Sequence, residues 1–434
     1  MIREALYLPL PWVSQIPPSW DVLPLTRCAD ERSVKNVGGI EGNVLSLSYG
    51  RIVRRDVASN EGLLPASFET YQIVDPGDVV LRLTDLQNDQ RSLRTGLVTE
   101  RGIITSAYVC VRFGDRFDQR YGHLLLHAYD TAKVFYGYGG GVRQSMKFDD
   151  FKSVPIPVPP LSVQRAIADF LDRKTAAIDA LIEKKERLLA LLAEKRAALI
   201  HRAVTKGLDP TVPMKDSGIP WIGEIPAHWR IVPLRVVVDY QEGPGILAKD
   251  FEPVDGGVPL IRIAGVQGRQ VSLDGCNWLS EEAVAARWRH FRLSAGDLLI
   301  SGSASTELIA EVGSEAAGAI PYTGLIRMRP RSKGVERDFL RTWLGSQAFY
   351  GQIDLLKAGA TIQHFGPTHL SRTWIILPSD EEQRLVVEDL QRRLSKAEEV
   401  GVLLRQQLGA LAEYRQALIT AAVTGQLAID EVAA

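Results

Sequence analysis

The feature that most constrains this chain is an internal duplication. Residues 11–25 and 220–234 share one pattern, in which Pro-Trp, Ile-Pro, Trp and Pro-Leu recur at identical spacing. Further matches share a single offset of 219 residues: Gly77-Asp78 with Gly296-Asp297, Gln144 with Gln363, Pro159 with Pro378, and Gln164-Arg165 with Gln383-Arg384. A fixed offset maintained along each half indicates two copies of one module, so the fold must be built twice.

Each copy ends in a heptad pattern. Mostly apolar side chains recur at steps of three and four over residues 168–203 and again over residues 387–422, which is the spacing of a coiled-coil seam. Pro-Pro-Leu-Ser precedes the first pattern, and Ser379 with Glu382 forms a capping box before the second. We therefore predict two helices of about 44 residues, each roughly 65 Å long at about 1.5 Å per residue.

The two predicted helices have a physical reason to pair with each other. A single helix would expose its apolar seam to water, so we expect an antiparallel coiled coil within the chain, with a pseudo-two-fold axis. The predicted fold class is mixed α/β, with two globular domains joined by two long antiparallel coiled-coil helices. The predicted boundaries are 1–158 for the first globular domain, 159–210 for the central helix, 211–377 for the second globular domain and 378–434 for the C-terminal helix.

An arginine occupies the same position in both seams. Residues 192–205 and 411–424 are identical at 10 of 14 positions, and Arg196 matches Arg415 within them. Two interpretations stay open: long side chains at the edge of a coiled coil whose charged ends reach water, or a docking surface for a partner that binds twice. We take Arg196 and Arg415 as candidate partner-docking residues.

Both globular parts alternate short apolar runs with glycine-containing turns. The pattern predicts strands at residues 72–74, 79–81 and 108–111 of the first copy and at residues 260–263, 298–300 and 325–328 of the second. Helices are predicted over residues 120–135 and 337–356. Strands mixed with short helices indicate an α/β domain in each copy.

The charge and the cysteines limit the functional classes. A net charge of -1 with 45% hydrophobic residues is ordinary for a soluble protein and lacks the overall basic charge common in nucleic-acid-binding proteins. The 3 cysteines lie far apart, which excludes a disulfide framework and a CxxC zinc site. Neither an apolar run of about 18 residues nor a signal-like N-terminus occurs. We expect a cytoplasmic protein that does not contact a membrane.

Polar loops in each globular part carry side-chain types that are suited to contacts with DNA, although each loop could also be an ordinary solvated loop. Residues 82–94 combine arginine, which pairs with guanine, with asparagine and glutamine, which pair with adenine. Residues 138–147 hold three glycines that let backbone amides approach phosphate, and residues 357–365 are their counterpart. The candidate DNA-binding residues are Arg82, Thr84, Asn88, Arg91, Arg94, Arg143, Gln144 and Lys147 in the first copy, and Arg262, Ser301, Ser303, Gln363 and His364 in the second.

Catalytic motifs are missing from the sequence. It contains no Asn-Pro-Pro-Tyr motif for adenine methylation, no GxGxxG after a strand and no GxxxxGK[ST] loop for phosphate. Residues 183–185 fit the E-x-K fragment of nuclease sites but lie within a predicted helix without a paired acidic residue. His123 and His127 have the spacing of a zinc helix, yet only leucines separate them, which favours a buried helix face. We predict no catalytic residue and no metal site.

Taken together, these features resemble the specificity subunits of type I restriction-modification enzymes over essentially the whole chain. The resemblance rests on two globular modules, on the Gln-Arg start of each heptad helix, on both Gly-Asp pairs and on residues 139–146. It implies that each globular part is a target-recognition domain that reads one half of a split DNA target, with the helices setting the spacing. It also implies double-stranded DNA, two methyltransferase subunits and restriction subunits as partners. Those partners, and not this chain, would bind S-adenosylmethionine, ATP and Mg.

Two other functions stay open at this point. A coiled-coil scaffold whose globular parts bind protein would suit the near-neutral charge, and salt-dependent DNA binding by the assembled complex would separate it from a DNA reader. A standalone nuclease or methyltransferase would cleave or methylate DNA as the purified chain.

Overall fold

A computed structural model shows how the duplicated chain folds. The structure describes residues 16–55, 67–86, 93–138, 145–252, 257–302, 308–331, 334–357 and 364–429. The chain divides into two compact units, one of residues 1–186 and 405–434 and one of residues 187–404. The division falls inside the two long helices, so each unit holds one globular part and half of each helix. We use domain 1 for residues 1–158 and domain 2 for residues 211–377, the boundaries predicted above.

Within its described residues, domain 1 consists of short strands and two α-helices. Its strands are β1 (Asp21–Pro24), β2 (Ala29–Glu31), β3 (Val34–Lys35), β4 (Leu45–Ser48), β5 (Arg51–Arg54), β6 (Gln72–Val74), β7 (Val79–Leu81), β8 (Thr95–Leu97), β9 (Gly102–Ile104), β10 (Val109–Phe113) and β11 (Pro155–Val158). Its helices are α1 (Gln119–Thr131) and α2 (Phe148–Phe151). The sheets have the orders β1-β11, β2-β10-β7-β8 and β3-β6-β9, and β4 and β5 form a hairpin.

Domain 2 follows the first long helix, α3 (Leu161–Lys206), and precedes the second, α9 (Asp380–Val423). Its strands are β12 (Met214–Asp216), β13 (Glu224–Pro226), β14 (Arg230–Pro233), β15 (Val238–Glu242), β16 (Phe251–Glu252), β17 (Val258–Ile261), β18 (Asn277–Leu279), β19 (Leu298–Ser301), β20 (Ile309–Glu311), β21 (Ile320–Pro321), β22 (Leu325–Pro330) and β23 (Trp374–Leu377). Its helices are α4 (Leu234–Val237), α5 (Glu281–Ala283), α6 (Arg337–Leu344), α7 (Gln347–Lys357) and α8 (Pro367–Leu370).

The two domains share one frame. The order β2-β10-β7-β8 in domain 1 recurs as β15-β22-β19-β20 in domain 2, and the antiparallel pair β1-β11 recurs as β14-β23. The central strands also bury their side chains alike, because alternate residues of a strand point to opposite faces. Val79 and Leu81 join the core that contains α1, whereas Val80 joins a second core, and Leu298 and Leu299 divide in the same way. The predicted internal repeat is therefore confirmed in the topology.

The long helices pair antiparallel within each unit. In the first unit, Leu171 near the start of α3 shares a core with Ile419 near the end of α9. In the second unit, Val204 near the end of α3 shares a core with Val387 near the start of α9. The seam positions are buried or half-buried along both helices, except Arg196, which is exposed. The predicted coiled-coil pairing and its heptad frame are confirmed inside each unit.

The repeated Gln-Arg motif has a structural explanation. Each glutamine is fully buried at the start of its long helix, where its side chain ties the helix to the first turn of a domain helix. The amide nitrogen donates to two backbone carbonyls and the amide oxygen accepts from one backbone N–H. The partners are Pro159, Arg116 and Asp118 for Gln164, and Pro378, Gly334 and Glu336 for Gln383.

The repeated Gly-Asp pair forms a turn with a buried carboxylate. Gly77 and Gly296 have φ values of +92° and +87°, a region that glycine adopts without strain. Asp78 accepts hydrogen bonds from Arg32 and Arg112. Asp297 accepts one from Arg329 at 2.6 Å. A buried carboxylate needs such charged partners, so this motif maintains the frame and does not contact a ligand.

Two predicted helices differ from the structure. The helix expected over residues 120–135 is α1, which ends at Thr131. The helix expected over residues 337–356 is two helices, α6 and α7, which break at Gly345 and Ser346. Gly345 lowers helix propensity and Ser346 accepts a bond from the N–H of Phe349, so a new helix begins there.

Candidate nucleic-acid interface

The two candidate loops of domain 1 meet at their bases. The backbone N–H of Met146 donates to the carbonyl of Leu83 at 2.8 Å, which joins the segment after β7 to the segment before α2. We call the described residues 82–86, 93–94 and 145–147 the domain 1 loop cluster. Sequence reasoning treated these segments separately, and the structure brings them together on one side of the domain.

Arg94 has a structural role in this cluster. Its side chain is fully buried, and the guanidinium donates to the backbone carbonyls of Arg82 and Thr84 at 3.0 and 2.8 Å. The prediction that Arg94 contacts DNA is therefore wrong, because the donors that would reach a base are turned inward. Instead, these donors join the two ends of the 82–94 loop.

The exposed charge of the domain 1 loop cluster is positive, and its half-buried charges are those of Arg82 and Asp85. Lys147 is exposed, while Arg82 and Thr84 are half-buried. Two residues next to the loops, Asp85 and Lys133, have φ values of +57° and +60°, which non-glycine residues rarely adopt. Strained backbone of this kind is concentrated at functional sites, so the cluster has the character of a binding surface.

Domain 2 repeats this arrangement at the equivalent positions. The backbone N–H of Phe365 donates to the carbonyl of Gly302 at 2.8 Å, and the N–H of Gly302 donates to the carbonyl of Gly324, also at 2.8 Å. These bonds join three segments, which together with Arg262 we call the domain 2 loop cluster: residues 301–302, 322–324 and 364–366. His364 within it is exposed.

Ser301 does not belong to the accessible surface of this cluster. It is the last residue of β19 and is only 1% exposed, and its backbone N–H donates to the carbonyl of Leu308. The prediction that Ser301 contacts DNA is wrong, because strand pairing continues one residue further than the sequence pattern indicated and buries the hydroxyl.

Arg262 is the best-positioned candidate in domain 2. It is exposed, and its guanidinium carbon lies 4.9 Å from the centre of the Tyr322 ring and 5.8 Å from that of Phe251. Among the residues that the structure describes, it forms no ion pair. Two aromatic faces that hold a guanidinium leave its N–H edge available to a ligand. The sequence analysis missed Tyr322 and Phe251, since they are distant from Arg262 in the chain.

Six candidate residues lie outside the described part of the chain, and for them the DNA-binding expectation stays a prediction. They are Asn88, Arg91, Arg143, Gln144, Ser303 and Gln363.

The arginines of the helical seam differ from each other. Arg415 is half-buried and its Nε lies 2.9 Å from Asp179 on α3, so it holds the two helices together within the first unit. That ion pair supports the interpretation of Arg415 as part of the coiled coil, and its docking role stays a prediction. Arg196 is exposed on α3, and its docking role stays a prediction.

His123 and His127 form the buried polar face that the sequence favoured. The Nδ1 of His127 lies 3.3 Å from the hydroxyl of Thr95, and its Nε2 lies 3.2 Å from the side-chain oxygen of Gln416. Burial first, and then nearby positive charge, lower the pKa of His127 to about 4. No group of three or more His, Cys, Asp or Glu side chains in the described ranges has the arrangement of a metal site.

The structure thus contains one α/β frame twice, and each copy presents its own loop cluster. The family described as "Type I restriction modification DNA specificity domain" matches residues 104–190. The chain is 24% identical over 289 residues to the type I restriction enzyme MjaVIII specificity subunit of Methanocaldococcus jannaschii, covering 65% of this chain and 64% of the relative. It is 23% identical to the EcoBI specificity subunit of Escherichia coli, covering 63% and 58%. The alignments thus span about three fifths of these curated relatives.

A solved structure supports the same fold. A chain from a study of complex assembly and conformational transition of the type I R-M system has a TM-score of 0.64 and 19% identity, covering 96% of this chain and 100% of that one. The chain is therefore similar in sequence to type I restriction enzyme specificity subunits and shares the fold of that solved structure. Within the described residues, no helix is long and apolar enough to span a membrane.

Proposed function

We propose that this chain is the DNA-recognition subunit of a type I restriction-modification complex, in which each domain reads one half of a bipartite target. The observation that carries the proposal is the loop geometry. One backbone hydrogen bond joins two loops at the same place in both domains, yet 13 residues lie between Leu81 and Thr95 and only 7 between Ser301 and Ile309. Equal frames with unequal loops are what two different half-sites require.

Methyltransferase subunits are the partners that we propose for the long helices. Leu188, Leu191 and Leu403 are 43%, 50% and 55% exposed on these helices. Apolar side chains exposed in this way on a soluble protein favour a protein-binding surface. Arg196, which is also exposed on α3, is the charged residue that we propose to contact such a partner. S-adenosylmethionine, ATP and Mg would belong to the methyltransferase and restriction subunits.

The test maps methylated adenines across the genome with and without this gene. We expect one bipartite motif to lose methylation when the gene is removed. In addition, DNA binding by the assembled complex should weaken with salt, with log affinity falling linearly in log salt concentration. An unchanged methylation pattern together with salt-independent binding would favour the scaffold alternative.

A second experiment separates recognition from catalysis. We expect the purified chain alone to show neither DNA cleavage nor methyl transfer, and the assembled complex to methylate. Robust activity of the isolated chain would identify it as an enzyme.

The spacer role of the helices has its own test. Inserting four residues after Ala193 in α3 displaces the downstream seam by about 40° around the helix, since each residue adds about 100°. The insertion therefore interrupts the heptad frame. We expect a changed spacer in the methylated motif or a loss of assembly, whereas a seven-residue insertion keeps the seam on its face. An unchanged spacer in the four-residue variant would contradict the role.

A further inference from the structure

The turn between β4 and β5 holds a residue that the turn itself does not favour. Ser48 pairs with Arg51, so Tyr49 and Gly50 are the two central residues of a tight hairpin. Their φ values are +47° and +75°. A two-residue turn with both φ values positive favours Asn-Gly, since asparagine tolerates this region and a bulky side chain is strained there. Tyr49 therefore stands where backbone geometry predicts asparagine.

Tyr49 gains nothing from packing that would offset this strain. Its side chain is 90% exposed, the largest exposure among the large apolar and aromatic residues of the described chain. It forms no hydrogen bond, ion pair or ring contact with any described residue. Large exposed aromatic side chains are typical of binding surfaces, where they supply contact area.

The hairpin is fixed against the loop that the proposed function assigns to DNA. A Cβ on Gly96 would lie 2.6 Å from Leu47 and 3.0 Å from Ile52. The β4–β5 hairpin can therefore pack closely on β8 because residue 96 is a glycine. A Cβ on Gly50 would lie 3.1 Å from Leu93, at the end of the 82–94 loop. Tyr49 is thus held beside the domain 1 loop cluster by close-packed contacts.

The hairpin also has an anchor on its other side. Arg51, next to the turn, forms an ion pair with Asp179 of α3 at 3.0 Å. A tip supported by both β8 and α3 keeps its position, and a preorganised aromatic side chain loses little conformational entropy when it binds.

We propose that Tyr49 is a DNA-contacting residue of domain 1 whose ring packs against the bases of the half-site that this domain reads. This inference rests on the proposed function. The adjacent loop cluster favours DNA as the partner because its exposed charge is that of Lys147. In a duplex, an exposed ring can contact base edges and thymine methyl groups within a groove, while a neighbouring basic side chain contacts phosphate.

The experiment compares three variants of the chain within the complex of specificity and methyltransferase subunits. Tyr49→Asn satisfies the turn and removes the ring, Tyr49→Phe keeps the ring, and Ile40→Asn removes another side chain of domain 1 that is 74% exposed. Affinity is measured on the methylated target and on targets with either half-site scrambled, and thermal unfolding is measured in parallel.

We expect opposite signs for binding and stability. Tyr49→Asn should lower affinity about tenfold or more, with the loss confined to the domain 1 half-site, while its unfolding temperature is equal to or above that of the wild type. Tyr49→Phe and Ile40→Asn should bind within about threefold of the wild type. Unchanged affinity of Tyr49→Asn overturns the inference, and so does failure of that variant to assemble, which would identify a protein contact. Absence of any specific target for the wild-type complex would instead overturn the proposed function, and this inference with it.

Discussion

Domains 1 and 2 differ where they meet solvent and agree where they meet the long helices. The shared parts are the four-stranded sheet, the buried Gly-Asp carboxylate and the glutamine that ties each long helix to its domain. The unlike parts are the loops: domain 1 has a 13-residue loop beside a tyrosine-tipped hairpin, and domain 2 has a 7-residue loop beside an arginine held by two aromatic rings. The sheets beyond this frame differ as well, with the order β3-β6-β9 in domain 1 and β16-β18-β17-β21 in domain 2, so one duplicated frame supports two different surroundings.

The anchoring of each domain to a helix end offers the strongest test of this equivalence. Trp20 and Trp229 are sequence equivalents, and a side chain added at Gly425 or Gly207 would meet their rings at 3.1 and 3.0 Å. Trp229, however, is buried and donates to Glu382 at 3.0 Å, while Trp20 is only half-buried.

We expect Trp229→Ala to lower the stability of the second unit by about 3–5 kcal/mol. Trp20→Ala should lower the stability of the first unit by less, because folding buries a smaller area of the Trp20 ring. Hydrogen exchange of the whole chain, resolved by peptide, measures both units in one sample. Equal losses of protection in the two units would show that the anchors are energetically as well as geometrically equivalent.

Acid should separate the two units next. In the first unit, burial lowers the pKa of His127 to about 4. Between pH 6.5, its ordinary pKa, and pH 4, this histidine is therefore protonated in the unfolded chain and neutral in the folded one. The contribution of His127 to stability then falls by about 1.4 kcal/mol per pH unit as the pH drops from 6.5 towards 4, and neighbouring His123, whose pKa burial lowers to about 3, adds a loss in the same direction. In the second unit, burial raises the pKa of Glu382, but bonds from His228, Trp229 and Ser379 lower it to about 2.

Glu382 therefore contributes its full stabilisation of the second unit at pH values above its ordinary pKa of 4.5. This stabilisation is lost only as the pH falls further towards 2. Hydrogen exchange at pH 6.5 and 5, corrected for intrinsic rates, should show protection lost around α1 and retained at the start of α9. His201 in the second unit shifts in the same direction as His127 but is only half-buried. The same decrease in both units would refute this assignment.

The helices, the duplicated frame and the sheet strands were predictable because each rests on periodicity that one sequence displays. The binding surface was less so. Arg94 looked like a base reader, but whether a guanidinium turns towards solvent or towards the carbonyls of its own loop depends on tertiary contacts. Tyr49 was missed because Tyr-Gly is not among the dipeptides that mark a two-residue hairpin, so only the structure shows the turn. The partners of Arg262 lie in other segments, so no local pattern identifies them.

Arg262 provides a test confined to domain 2. We expect Arg262→Lys to cost about 1–3 kcal/mol at one position of the domain 2 half-site, because lysine cannot form the bidentate contact of a guanidinium with guanine. Methylation sequencing with that half-site randomised measures the relaxed position, and Arg230→Lys on strand β14 is the matched control. A uniform loss over all sequences would indicate a phosphate contact instead.

The smallest expected effect concerns the helix pair. Asp179 on α3 bridges Arg415 of α9 and Arg51 of the β4–β5 hairpin, whereas Glu398, its equivalent at the 219-residue offset, is exposed and has no ion pair with any described residue. Ion pairs with partial exposure contribute little, so we expect Asp179→Asn to lower stability by about 0.5–1 kcal/mol and Glu398→Gln to leave it unchanged. Urea unfolding at low and high salt measures the difference, which should shrink as salt screens the pair. A difference that persists at high salt would mean that Asp179 acts through the position of the hairpin, in which case Asp179→Asn should also weaken binding to the domain 1 half-site.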